Sequence, residues 1–297
     1  MDALPNRIHA SLRNRRLSCG GWPFLRGSHQ MALEPTCLAL LALRGKPCAN
    51  AQVLLDAQLP EGSWGSFATD DEASGLTGLA LLTLNALGTF PDAATQASDW
   101  LVGAQGREAS WFWKWKFHAR DTHVRFDPDK FGWPWEPDTC SWVVPTSFAL
   151  LALKQSFPCC RNGRVACRIH LGVEMLLDRA CPREGWNAGN GVVYGVAMEP
   201  HFDATAMALL ALRSEPLNKL IKRSLGWIQR QSCSCLSPWS LAWSILALDA
   251  YDLPVELLQQ RLISLTKPDE TDDTATLAVI ALALDCTSSG NLFEVLA

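Results

Sequence analysis

Apolar residues along this chain fall into two kinds of stretch. The first is apolar at nearly every position: Pro35-Thr36-Cys37-Leu38-Ala39-Leu40-Leu41-Ala42-Leu43 returns as Leu76-Thr77-Gly78-Leu79-Ala80-Leu81-Leu82-Thr83-Leu84, as Pro145-Thr146-Ser147-Phe148-Ala149-Leu150-Leu151-Ala152-Leu153, and as Ala204-Thr205-Ala206-Met207-Ala208-Leu209-Leu210-Ala211-Leu212. Looser copies begin near Trp243 and Asp273, so the phrase occurs six times. A helix that is apolar all round is covered by neighbours, and these read as inner helices over about 31–43, 73–86, 143–156, 203–214, 238–250 and 272–285.

The second kind is amphipathic. Leu217, Leu220, Ile221, Leu225 and Ile228 fall on one stripe with Lys219, Lys222, Arg223 and Arg230 elsewhere, and Ile169, Val173, Leu176 and Leu177 repeat the stripe. These predict outer helices near 47–58, 92–104, 165–179, 217–231 and 255–266, with a terminal helix completing the sixth pair. Sustained alternation is absent, so strands are not expected. The fold class is all-α, an (α/α)6 arrangement of alternating inner and outer helices in one domain over 1–297.

Trp-containing turns precede the inner helices: Gly20-Gly21-Trp22-Pro23, Gly62-Ser63-Trp64-Gly65, Gly132-Trp133-Pro134-Trp135 and Glu184-Gly185-Trp186. A glutamine stands at fixed distance in Gln58-x3-Gly62-x-Trp64 and Gln105-x3-Ala109-x-Trp111. Thr77 and Thr146 are 69 residues apart, against 41 from Thr36 to Thr77, which marks a Trp-rich insertion at about 106–135. Long loops of this kind serve as lids or cavity rims, or simply pack on the surface.

The 297 residues are 48% hydrophobic and 19% charged, with a net charge of -4, which gives no electrostatic reason to expect nucleic acid. No apolar run is long enough to span a bilayer, and the basic N-terminus lacks the apolar stretch of a signal peptide. The eleven cysteines are odd in number, and Cys37 and Cys167 sit inside helical patterns, so a reducing cytoplasm is expected. Cys159-Cys160 and Cys233-x-Cys235 read as incidental thiols, and His118 and His123 as solvated loop residues.

The Gln-and-Trp turns with repeated helix pairs resemble the superfamily of terpenoid cyclases and protein prenyltransferases, built on an α/α toroid. The resemblance covers essentially the whole chain and implies that Gln58, Trp64, Gln105 and Trp111 are structural ties. Class II terpene cyclases protonate an alkene or epoxide with the middle aspartate of Asp-x-Asp-Asp-Thr-Ala. Glu270-Thr271-Asp272-Asp273-Thr274-Ala275 is similar, with glutamate in the first place. The resemblance thus implies Asp272 as acid, with Asp273 and Glu270 orienting it, an isoprenoid substrate, no required cofactor and weak membrane association. Crowded carboxylates suit that role because they raise one another's pKa, while the bare residues equally suit helix capping.

Trp133, Trp135, Trp142, Phe202, Trp239 and Trp243 lie near inner-helix starts, where aromatic faces can stabilise carbocations. The prenyltransferase branch of the resemblance offers an alternative, zinc held by Asp138, Cys140 and His201 in a chain working with a second, helical subunit. A toroid that binds a lipid or protein without catalysis is the third expectation. Squalene-type cyclases use two toroids, and this chain supplies one.

Overall fold

A computed structural model describes residues 4–46, 48–120, 125–156 and 163–295, with side chains omitted at 118–120. Six inner helices form the centre: α2 (Leu33–Ala42), α4 (Thr77–Leu87), α7 (Val143–Ser156), α9 (Phe202–Ala211), α11 (Pro238–Ala250) and α13 (Thr274–Ser289). The outer helices are α1 (Leu4–Asn14), α3 (Gln52–Asp56), α5 (Pro91–Gly103), α8 (Gly163–Arg179), α10 (Lys219–Gln231) and α12 (Glu256–Leu265). Each inner helix packs on the next in chain order, and α13 packs back on α2, so the ring is closed. The N-terminal α1 lies against α13 and completes the sixth pair.

Sequence explains the division of labour. Every residue of α9 from Ala204 to Ala211 is buried, whereas α10 buries only Ile221, Ser224, Leu225 and Ile228, at the spacing of one helical face. Asn218 caps α10 by accepting from the Ile221 N–H. Small residues let inner helices approach closely: a Cβ at Gly78 would meet the Ala149 backbone at 2.5 Å.

A three-part staple repeats at four turns. The backbone N–H groups of Trp22, Trp64, Trp133 and Trp186 donate to the hydroxyls of Thr36, Thr77, Thr146 and Thr205 at 2.9, 3.1, 2.9 and 2.9 Å. Each hydroxyl returns a bond to the carbonyl of the same Trp. The indole N–H groups donate to the carbonyls of Leu12, Leu54, Leu101 and Leu176 near the ends of outer helices. One tryptophan therefore locks an outer helix to the following inner one with no polar group left unpaired.

The insertion carries a helix the sequence pattern did not predict, α6 (Trp111–Arg120), preceded by a 3-10 turn over Arg107–Ala109. Its ends are fixed by buried charge. Glu108 accepts from the Ser141 N–H and pairs with Arg179 at 3.4 Å, both fully buried. Arg168 donates to the carbonyls of Ala104, Phe131 and Gly132 while lying 3.5 Å over the Trp133 ring. A two-residue antiparallel hairpin, β1 (Val192–Val193) with β2 (Val196–Ala197), is the small departure from an all-helical fold. Among the described residues no helix is long and apolar enough to cross a membrane, and nine cysteines are free thiols.

Candidate functional site

The inner helices all begin at one end of the ring, and that mouth is where their side chains meet. Phe148 of α7 touches Trp243 of α11 at 6.1 Å between ring centroids, although α9 stands between those helices, so the contact crosses the axis. Positions two residues after the repeated Thr therefore face inward, and the same register gives Leu38, Leu79 and Met207. All five are at most 2% exposed. From the far end, the chain after α13 inserts Phe293 against Trp243 at 5.0 Å, held by Asn291 donating to the Leu246 carbonyl and Gln155 donating to the Leu292 carbonyl. The axis is thus filled by buried aliphatic and aromatic side chains.

One turn nearer the mouth, the inward register gives Glu34, Val144, Asp203 and Trp239. Trp239 lies edge-on to Trp243 at 5.7 Å. Glu34 is half-buried in the first turn of α2, beside the start of α13. Burial, with the nearby Asp273 carboxylate adding to it, pushes the Glu34 carboxyl up to about 7. Asp273 itself is the cap of α13 and accepts from the Thr276 N–H. Phe24 and Phe67 meet edge-to-face at 5.9 Å on the turns that cross these helix starts, where the Thr274 N–H donates to the Phe24 carbonyl and the Leu33 N–H to the Ser66 carbonyl.

The acidic segment singled out in sequence is divided among separate tasks. Asp272 forms an exposed ion pair with Arg26 at 2.7 Å, and Glu270 pairs with Lys267 at 2.8 Å in solvent. The Asp272 backbone carbonyl accepts from Arg15, which ties the segment to α1. Of the three, only Asp273 stands beside Glu34. Glu34 does not stand out in the sequence because it is an isolated carboxylate immediately before the repeat phrase; its one signal is a charge where the third copy carries Val144.

The aromatic candidates separate likewise. Trp133 is not a wall of the mouth but the third staple, 1% exposed. This also corrects the Gln105–Trp111 tie: Trp111 opens α6 and is 80% exposed, because the insertion falls between Gln105 and the true staple. Gln58 does act as expected, donating to the carbonyls of Gly62 and Ala93. Trp243 is fully buried in the axial column, while Trp239 reaches the mouth. Phe202 stacks on Trp227 at 5.0 Å, Trp142 lies at the start of α7 against Gly189, and Trp135 lines a side cleft with Trp100 and Asp138.

Asp138, Cys140 and His201 do not form a metal site. Among the described residues no three His, Cys, Asp or Glu side chains converge on a point that could hold an ion. Burial and the neighbouring Glu108 push the Cys140 thiol up. His201 instead caps α9 by position, its N–H donating to the Trp186 carbonyl. The side chain of His118, and His123, Cys159 and Cys160 as a whole, lie outside the described residues.

No protein-family model matches the chain, and no curated protein sequence matches it. Among solved structures it is similar to the type II terpene cyclase MstE from Scytonema, with 14% identity, 94% of this chain and 96% of that one covered, and a TM-score of 0.59. It is similar to the alpha-1,6-mannanase GH76A of Salegentibacter sp. HEL1_6, with 9% identity, 98% of each chain covered and a TM-score of 0.66. The endo-beta-1,4-glucanase CMCax from Acetobacter xylinum gives 13% identity, 96% and 99% coverage and a TM-score of 0.59. The MstE match spans nearly all of both chains, so one toroid of this length does not mark a departure from cyclase architecture. The chain is a single α/α toroid, a fold that a class II terpene cyclase and polysaccharide-cleaving enzymes share.

Proposed function

We propose that this protein is a class II terpene cyclase-like enzyme in which Glu34, rather than Asp272, is the acid. The observation that carries the reading is a carboxyl in the first turn of an inner helix whose pKa is pushed up to about 7 by burial and by the neighbouring Asp273. Protonating an alkene needs such an acid, and burial beside a second carboxylate is how proteins make one. The Glu34 O–H gives its proton to the less substituted carbon of a terminal alkene. The cation left on the neighbouring carbon is attacked by the next alkene, and loss of a proton to a base ends the sequence. The Trp239 face stabilises the cation without offering a nucleophile.

The filled axis favours a substrate that inserts only its terminal isoprenoid unit, while the remainder lies across the rim formed by Phe24 and Phe67. Weak membrane association belongs to this reading, since the exposed Trp111, Phe112 and Trp115 offer an apolar surface beside Lys114 and Lys116. Extraction and mass spectrometry of polyprenyl substrates after incubation test it. Cyclised product is expected from the wild type and from Asp272→Asn, with about a hundredfold loss in Glu34→Gln; undiminished product from Glu34→Gln would overturn the assignment.

A second reading, glycoside cleavage, is favoured by Asp203 sharing the inward register with Glu34, which sets two carboxyls around an open mouth. Reducing-sugar release from α-1,6-mannan or β-1,4-glucan, abolished by Asp203→Asn, would select it over cyclisation.

A further inference from the structure

A cleft of about 810 Å³ lies outside the mouth, between α1 and the turn over 23–29. Its charged lining is Arg7, Arg15, Arg16, Arg26 and His29 against the single carboxylate Asp269, in a chain whose net charge is -4. Arg15 is 8% exposed, and its Nη atoms donate to the carbonyls of Thr271 and Asp272. Its buried Nε has no partner. Burial and the neighbouring Arg26 push the Arg15 guanidinium below its usual range, a strain that an anion would relieve.

We propose that this cleft binds a phosphate- or diphosphate-bearing ligand. Guanidinium groups match phosphate oxygens with paired N–H donors, and four of them line this one cleft. Arg7 and Arg26 are the exchangeable members. Each is about half exposed and pairs with a more exposed carboxylate, Asp269 at 2.6 Å and Asp272 at 2.7 Å, which an incoming phosphate displaces. The volume accommodates a diphosphate with part of the group attached to it.

Titration calorimetry of the full chain with inorganic diphosphate tests the site without invoking Glu34. Saturable binding is expected that weakens with added salt, falls at least about tenfold in Arg7→Gln/Arg26→Gln, and persists in Glu34→Gln. The double variant removes only exposed pairs, and thermal melting confirms that it folds. Phosphatidylcholine vesicles with and without phosphatidic acid distinguish the sources. Arginine-dependent binding to the acidic vesicles alone assigns the phosphate to a lipid headgroup, and binding of free diphosphate assigns it to a small molecule. Absence of both, or equal affinity in the double variant, overturns the proposal.

Discussion

Glu34 and Asp273 stand at the starts of two adjacent inner helices, close enough that the Asp273 charge resists ionisation of Glu34. One carboxylate is committed to a helix N-terminus, and the other is left with a proton. The relationship depends on ring closure, since α2 and α13 are far apart in sequence and meet only because the toroid joins its ends.

Stability should fall as pH rises. Glu34 has a folded pKa of about 7 against an ordinary 4.5, so the folded state binds more protons between these values. Its contribution is fully present below about 4.5 and is lost as pH rises through about 7. Glu34→Gln should abolish this slope and melt higher than the wild type at pH 8, by the equivalent of about 1–3 kcal/mol. Urea titrations of both proteins at pH 5 and pH 8 measure it.

Changing Asp273 to asparagine retains a good capping group and removes the charge beside Glu34. The alkaline limb of activity, where Glu34 loses its proton, should shift to lower pH with little change in stability. Asp273→Ala should cost about 1 kcal/mol as well, through the lost cap. Equal pH profiles for wild type and Asp273→Asn would sever the proposed coupling.

Thr146→Val removes both hydroxyl bonds of the third staple and leaves the Trp133 N–H buried without an acceptor. A loss of about 1–3 kcal/mol is expected in chemical denaturation. A neutral result would mean that the staple does not tie the insertion to α7.

Phe293→Ala empties the base of the aromatic column next to Trp243. About 3–5 kcal/mol should be lost, with little effect on the Glu34 titration because Phe293 approaches from the opposite end of the ring. Melting temperature and the pH slope of stability together separate these two outcomes.

Much of this architecture was legible in the chain, since uniformly apolar and amphipathic segments predict inner and outer helices and the repeated Thr and Trp mark the turns between them. The candidate site was not. Asp272 and Glu270 were conspicuous because they crowd together in sequence, yet their side chains turn to Arg26 and Lys267 in solvent. Glu34 was inconspicuous because its carboxylate neighbour arrives from the other end of the chain. Trp111 and Trp133 exchanged roles because spacing alone cannot show on which side of a tie an insertion falls.

Side-chain carbon NMR of protein labelled at glutamate, with Glu34→Gln assigning the resonance, follows the protonation of this carboxyl itself. The Glu34 carboxyl should titrate near 7 and shift downward in Asp273→Asn. Titration at the ordinary value of 4.5 in both proteins would contradict it.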